Sequence, residues 1–448
     1  MSRRHRGSPM PSFSVASVDA SLTTHNSQAE LVVGFYRQQK CVAKCLRMRV
    51  DVAVFLILCQ QLPGSEEVEP ETCSQKSSEC NQWHTNKYSE ASNKWGPYIN
   101  KIEEAVSSYK SCEPEKCNCH YPLIKKDLAV FQDGISKQSI QAARERGTLY
   151  QIIDHKLYRE EECAFPSRCN GIEHFILKIV DQLPDLEMVV NSRDWPQVNT
   201  RFGQKIPVFS FSKTKEFLDI TYPAWTFWEG GPAISLYPTG LGRWDQHRKS
   251  IQTMAQQWPW HSKLPKAFFR GSRTSSERDS LVYLSREQPD LVDAAYTKNQ
   301  AYKSEADTLY APPAAEISLE EHCKYKYLFN FRGVAASFRY KHLFLCGSLV
   351  FHVGDEWIEF FYPKMKPWVH YIPVQPKTSK DEIRELLEFS QANDELVSQV
   401  AERGYQFIRD HLRMKDVVCY WRRLLRSYAE LLQYDVQRNS QLIEIPKK

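Results

Sequence analysis

Phe331-Arg-Gly-Val-Ala-Ala-Ser-Phe-Arg-Tyr-Lys-His-Leu-Phe-Leu-Cys-Gly-Ser-Leu-Val350 joins small residues and two arginines to a helical stretch that runs into a buried strand. That succession is a loop, helix and strand unit of an α/β architecture. Gly333, Ala335, Ala336 and Ser337 leave backbone N–H groups open at the expected helix start, where unpaired donors and the helix dipole favour an anion. Arg339 adds a planar, permanently charged group suited to phosphate oxygens. Close helix–strand packing asks for the same small residues, and the run matches no stand-alone phosphate fingerprint.

Outward from this block, helical periodicity alternates with short apolar runs. Phe175, Ile176, Ile179, Val180 and Leu183 repeat on one helical face, and Leu186-Glu-Met-Val-Val190 follows as a buried strand. Further strands are predicted at Ile206–Phe211, Lys266–Arg270, Ser348–Val353 and Tyr371–Val374. Residues 381–391, 393–412 and 416–433 space their apolar side chains as helices. The Trp-, Pro- and Gly-rich stretch 222–244 breaks the rhythm and is expected to form a crossover or cleft-lining loop.

A chain of 448 residues, 42% hydrophobic and 12% aromatic, can bury a large core and usually forms two or more domains. A formal charge of +5 does not call for nucleic acid, although a locally basic cleft is compatible with it. Of thirteen cysteines, Cys41, Cys45, Cys59, Cys73 and Cys80 lie early, and the remaining eight are an even set compatible with four disulfides. Cys112, Cys117 and Cys119 lack a nearby Cys/His pair to complete a zinc site, so an oxidising compartment fits better. Met48–Gly64 has the basic start and short apolar run of a secretory signal, although Asp51 interrupts it. Translation is expected to start effectively at Met48, with residues 1–47 an extension absent from the mature protein and 65–95 a polar linker. No stretch is long and apolar enough for a stable membrane span.

Three segments could hold chemistry. Asp194 follows the strand 186–190, and ligands of open α/β sheets bind beyond the carboxyl ends of strands, so it is a candidate base; a turn carboxylate paired with Arg193 is the competing reading. In Phe268-Phe-Arg-Gly-Ser-Arg-Thr-Ser-Ser-Glu-Arg278 a strand ends in a polar turn bearing three arginines, where Ser272 and Arg278 could bind a diphosphate, unless those arginines pair with Glu277 and Asp279. Two such basic segments together point to an anion-binding cleft. Arginine and backbone donors would neutralise a leaving diphosphate without a cation, and the chain contains no Asp-x-Asp pair. The aromatic run 222–244 suits a sugar or base platform or plain packing. His174, His322 and His342 are read as core or surface histidines, and the absence of a Gly-x-Ser-x-Gly elbow argues against a serine hydrolase.

Cys163-Ala-Phe-Pro-Ser-Arg-Cys169, Gly171-Ile-Glu-His-Phe-Ile176, Arg193-Asp194, Pro223-Ala-Trp-Thr-Phe-Trp-Glu-Gly-Gly231, Phe269-Arg-Gly-Ser-Arg-Thr274 and the block 323–355 closely resemble the Rumi-type protein O-glucosyltransferases, from about residue 95 to about residue 435. The resemblance implies a GT-B-like fold: two Rossmann-like domains facing a cleft, with C-terminal helices packing back on the first. Residues 96–245 would bind the acceptor and hold the base, 246–395 would bind the nucleotide sugar, and 396–448 would be the helices and tail. It implies an inverting enzyme with no tightly bound cofactor or metal. Glucose would pass from UDP-glucose, or xylose from UDP-xylose, to the serine of a Cys-x-Ser-x-Pro/Ala-Cys motif in folded EGF-like repeats such as those of Notch.

Asp194 matches the family's catalytic base. Tyr237, Ser272, Arg278 and Val334-Ala335-Ala336-Ser337-Phe338-Arg339 match its donor-binding positions. Ala164-Phe165-Pro166-Ser167-Arg168 and Ala233-Ile234-Ser235-Leu236-Tyr237-Pro238 match its acceptor loops, the second slightly shorter than in relatives. The implied disulfides are Cys112–Cys119, Cys117–Cys419, Cys163–Cys169 and Cys323–Cys346. A monomer in the lumen of the endoplasmic reticulum is expected, although the chain ends Ile-Glu-Ile-Pro-Lys-Lys448 rather than in a retrieval tetrapeptide. From another class, a non-catalytic EGF-domain-binding folding factor would keep the acceptor groove alone.

Overall fold

Leu186–Val190, buried at every position, is the strand on which the first sheet is built. The computed structural model describes residues 94–113, 118–232, 235–237, 240–298 and 302–447. The extension, the signal-like segment, the five early cysteines and nearly all of the linker lie outside them, as do Cys117, Ala233, Ile234 and Pro238.

The first sheet opens with a hairpin of β1 (Thr148–Ile153) and β2 (Lys156–Arg159). Its two turn residues, Asp154 and His155, have φ of 48° and 61°, the left-handed pair that a tight hairpin needs. β3 (Leu186–Val190) runs antiparallel to β1, and β4 (Val208–Ser210) continues in parallel. β5 (Ser212–Lys213) leaves the sheet, and β6 (Ile220–Thr221) closes it beside β4. The chain's last strand, Ile443–Ile445, covers the free edge of β2.

The second sheet is wholly parallel. Its strands β7 (Leu264–Gly271), β8 (Val292–Tyr296), β9 (Tyr325–Asn330), β10 (Leu349–Val353) and β12 (Ile372–Val374) stand in the order β12-β10-β9-β7-β8. Between β10 and β12, the short β11 (Ile358–Glu359) reaches back to pair antiparallel with β5. Alternation along β7 divides the cores: Phe268 joins the large cluster shared with the first sheet, whereas Ala267 and Phe269 face a second cluster under helices 279–287 and 380–392. Purely parallel strands are buried on both faces, which suits the apolar runs of β9 and β10.

The C-terminal helix Met414–Ala429 packs on helices Tyr121–Leu128 and Pro166–Leu177, beside the first sheet. Tyr420 and Tyr428 donate their hydroxyls to the carbonyls of Thr221 and Glu187, and Trp421 lies 5.2 Å from the ring of Tyr222. Disulfides join Cys112–Cys119, Cys163–Cys169 and Cys323–Cys346; Cys419 is also disulfide-bonded, but its expected partner Cys117 lies outside the described residues. Among the described residues no helix is long and apolar enough to cross a membrane.

The chief departure from expectation is at 331–339. These residues do not start a helix; they form a loop, folded back by a Gly333 N–H to Ala335 carbonyl bond, and the helix is only Tyr340–Phe344. Helix 175–183 begins earlier, with Pro166 in its first turn, and ends at Leu177. The strand expected at 206–211 is confined to Val208–Ser210.

Candidate functional site

Three strand ends meet at one cavity. Beyond β3 lie Asn191–Asp194, beyond β7 Ser272–Arg278, and beyond β9 Phe331–Arg339. Asp194, Tyr237, Ser272, Arg278 and Arg339 all line the same cavity of about 630 Å³. Parallel strands expose unpaired backbone and short loops at their carboxyl ends, which is why ligands collect there.

On the β7–β9 side the feature that matters is which arginines already have partners. Arg270 pairs with Asp293 at 2.6 Å, Arg273 with Asp279 at 2.6 Å and Arg332 with Glu277 at 2.9 Å. Arg278 and Arg339 pair with no carboxylate among the described residues. Backbone carbonyls hold them instead: those of Ser272 and Arg332 for Arg278, and that of Arg270, at 2.5 Å, for Arg339. Both guanidinium groups sit over the ring of Phe269, at 5.3 and 5.5 Å. Burial, with Arg339 alongside, pulls Arg278 down to about 9, and burial pulls Arg339 to about 10, so both are charged at neutral pH. Two fixed cations without a counter-charge are a site for an anion.

The loop beside them supplies neutral donors. Ala335 and Ala336 are buried and Ser337 and Phe338 half-buried, and the N–H groups of all four donate to no described residue. Val334 is exposed at the rim. The Tyr237 hydroxyl accepts from Leu319 N–H at 3.0 Å and faces the Glu320 carboxylate at 3.5 Å; burial raises it to about 12, so it is a neutral phenol. Ser235 bonds Glu316 through both its N–H and its hydroxyl.

Across the cavity, Asp194 stands beside Arg168, Oδ1 to guanidinium nitrogen 3.2 Å, and accepts no aligned hydrogen bond from a described residue. Its side chain is 39% exposed, open to an incoming hydroxyl. The competing pairing with Arg193 is not made; Arg193 instead donates to the Arg146 carbonyl. Arg168 is itself fixed: it donates to the Ser192 carbonyl at 2.7 Å and lies over the rings of Phe165 and Trp225 at 4.3 and 4.5 Å. Gly230, with φ of 81°, allows this fit, since a Cβ there would fall 2.8 Å from the Arg168 backbone. Phe165, Trp195 and Leu236 are exposed apolar side chains next to these groups in sequence. Ala164, Pro166 and Ser167 belong to the same turn into helix Pro166–Leu177 but do not line the cavity.

Sequence reasoning passed over several lining residues. Thr297 and Lys298 follow β8, and Ile317, Leu319 and His322 precede β9, two strands that had not been recognised. His322 is no plain core residue: its ring is buried at the cavity wall, Nδ1 lies 2.7 Å from the Ser318 carbonyl, and burial holds it neutral, at about 3. Among the described residues no group of three or more His, Cys, Asp or Glu side chains could hold a metal ion.

The profile of the family described as Glycosyl transferase family 90 matches residues 112–448. The chain is 56% identical over 400 residues to the O-glucosyltransferase rumi homolog of Aedes aegypti, covering 88% of this chain and 98% of that protein. It is 58% identical over 352 residues to Protein O-glucosyltransferase 1 of Homo sapiens, covering 78% and 89%, and 56% identical over 356 residues to O-glucosyltransferase rumi of Drosophila melanogaster, covering 78% and 87%.

Proposed function

The chain belongs to glycosyl transferase family 90 and to its Rumi-type protein O-glucosyltransferases, and from that premise we propose that it transfers glucose from UDP-glucose to a serine of folded EGF-like repeats. The observation that bears most weight is the split of charge across one cavity: two arginines without counter-charge on the β7–β9 side, and a carboxylate free of hydrogen bonds on the β3 side. A nucleotide sugar has its negative charge at the diphosphate and its reacting carbon beyond it. Its diphosphate would lie against Arg278, Arg339 and the N–H groups of 335–338, its sugar toward Asp194. The arrangement of the two sheets then works in the manner of a GT-B fold, with 246–395 binding the donor, 96–245 the acceptor, and helix Met414–Ala429 bracing the latter, while helix Asp394–His411 packs on the second sheet.

The reaction is a single displacement. The serine Oγ attacks the sugar C1 from the face opposite the diphosphate, the C1–O bond to the β-phosphate breaks, and the anomeric configuration inverts. Asp194 takes the serine proton as the new bond forms. Arg278 and Arg339 stabilise charge growing on UDP, which needs no reorganisation because both are already fixed. Arg168, 3.2 Å from Oδ1, orients the Asp194 carboxylate. Exposed Phe165, Trp195 and Leu236 offer apolar surface to a folded repeat. The three disulfides between described residues, and a disulfide-bonded Cys419, suit an oxidising compartment such as the lumen of the endoplasmic reticulum.

Purified protein incubated with a folded EGF repeat bearing Cys-x-Ser-x-Pro/Ala-Cys and either UDP-glucose or UDP-xylose, with and without EDTA, tests this by the intact mass of the repeat. A hexose gain that survives EDTA is expected; a pentose gain would reveal a second donor. No gain despite binding of the repeat would replace the reading with that of a non-catalytic folding factor.

A further inference from the structure

Among the described residues Lys341 is the one lysine buried beside the donor loop, and the mechanism above does not use it. It is 1% exposed, in the helix that follows Arg339. Its ammonium donates to the Phe338 carbonyl at 3.0 Å, within the donor loop, and to Thr226 Oγ1 at 3.3 Å, in the aromatic stretch of the other half. It also lies over the ring of Phe227 at 4.6 Å. Glu359, likewise 1% exposed, stands on β11, the strand that reaches back to β5, and its charge acts on the lysine without an ion pair between the two. Burial pushes the lysine down and the carboxyl up, and each charge partly offsets the other's shift. Neither Glu359 oxygen accepts a hydrogen bond, and the hydroxyl of Ser212, opposite Glu359 in the ribbon, also lacks a partner. Two such buried ionisable groups cost a core stability relative to apolar packing.

The two ends of the Lys341 tie are informative. Phe338 packs against Phe211 and Trp225, with ring centres 5.0 and 5.8 Å away. Trp225, next to Thr226, has Arg168 over its ring, and Arg168 pairs with Asp194. We propose that Lys341 is a positioning residue that fixes the donor loop Val334–Arg339 in register with the Arg168–Asp194 pair. It touches neither substrate; it sets the distance between the bound diphosphate and the base. This rests on the donor and base assignments above.

The test uses Lys341→Met, Glu359→Gln and the double variant, measured by thermal midpoint, by UDP affinity in calorimetry, and by kcat/KM on a folded EGF repeat. Lys341→Met alone strands a buried carboxylate and lowers the midpoint, and adding Glu359→Gln restores it. In the restored double variant UDP affinity stays within about threefold of wild type, while kcat/KM remains roughly 10- to 100-fold low, the order of loss that misaligned reacting groups produce. Recovery of midpoint and kcat/KM together would overturn the proposal, since a purely structural pair would be fully replaced. Thr226→Val cuts only the far end of the tie and decides the matter if the double variant fails to fold. It should lower kcat/KM by about 3- to 10-fold, and wild-type turnover would overturn the proposal. UDP binding by the wild-type protein is measured alongside: its absence would sink the donor-site reading itself, a failure distinct from that of the tie.

Discussion

The two walls of the cavity are built on opposite principles of charge. On the β3 wall one arginine and one carboxylate face each other at 3.2 Å, nearly neutral as a pair and partly exposed. On the β7–β9 wall three arginines are neutralised by carboxylates, and two more, Arg278 and Arg339, are held only by carbonyl oxygens. On the proposed reading, one wall handles a proton and the other receives an anion. Binding and chemistry should therefore separate on mutation.

The largest expected effect is on the β3 wall. Asp194→Asn removes the proton acceptor and should lower kcat by about 10²- to 10⁴-fold, with the folding transition and UDP affinity near wild type. Turnover assays beside calorimetry check both halves of that statement. Arg278→Ala acts on the other wall and should weaken UDP binding about 10- to 100-fold, the size expected for a charged hydrogen bond. An unchanged UDP affinity would remove Arg278 from the site.

A third contrast concerns pH. His322 sits neutral on the donor wall with its pKa held down to about 3, whereas an unfolded histidine takes up a proton near 6.5. The unfolded state binds the extra proton in between, so its contribution is complete above about pH 6.5 and is lost toward about pH 3. Unfolding free energy should therefore fall by about 1.4 kcal/mol per pH unit from this residue alone. His120 and His352, each held near 4 by burial, steepen the slope. Chemical denaturation at several pH values checks it, and His322→Phe should flatten the slope by one proton. The smallest effect belongs to Tyr237→Phe, which deletes one neutral hydroxyl and should raise the KM for UDP-glucose about fivefold. A change in kcat instead would move Tyr237 to the chemical wall.

Legibility in the sequence followed the same division. β3 and Asp194 could be read because Met-Val-Val ends abruptly in Asn-Ser-Arg-Asp, and β7 and Ser272 because Ala-Phe-Phe ends in Arg-Gly-Ser. β9 follows the same pattern, with Lys326 where β3 has Glu187; that lysine is tolerated in a central strand by running its stem over Trp260 to reach Asp394 at 2.9 Å. The β1–β2 hairpin was hidden because Asp154 and His155 adopt left-handed geometry without the glycine that usually announces it. Missing β8 and β9 meant missing the lining residues beyond and before them, Thr297, Lys298 and His322. Nor could the pairing of arginines be read, since six lie within 270–339 and only packing decides which of them meet Asp293, Asp279 or Glu277. At 331–339 the geometry differs from expectation: a helix start was expected, and the open N–H groups stand in an irregular loop.

The central claim is that binding and chemistry occupy opposite walls, and one crossed measurement tests it most directly. Asp194→Asn and Arg278→Ala are each titrated with UDP and assayed for glucosylation of a folded EGF repeat at saturating UDP-glucose. The account predicts wild-type UDP affinity with lost turnover in the first, and weakened UDP affinity with turnover at least partly regained at saturation in the second. Wild-type turnover by Asp194→Asn, or loss of UDP binding in that variant equal to its loss in Arg278→Ala, would contradict it.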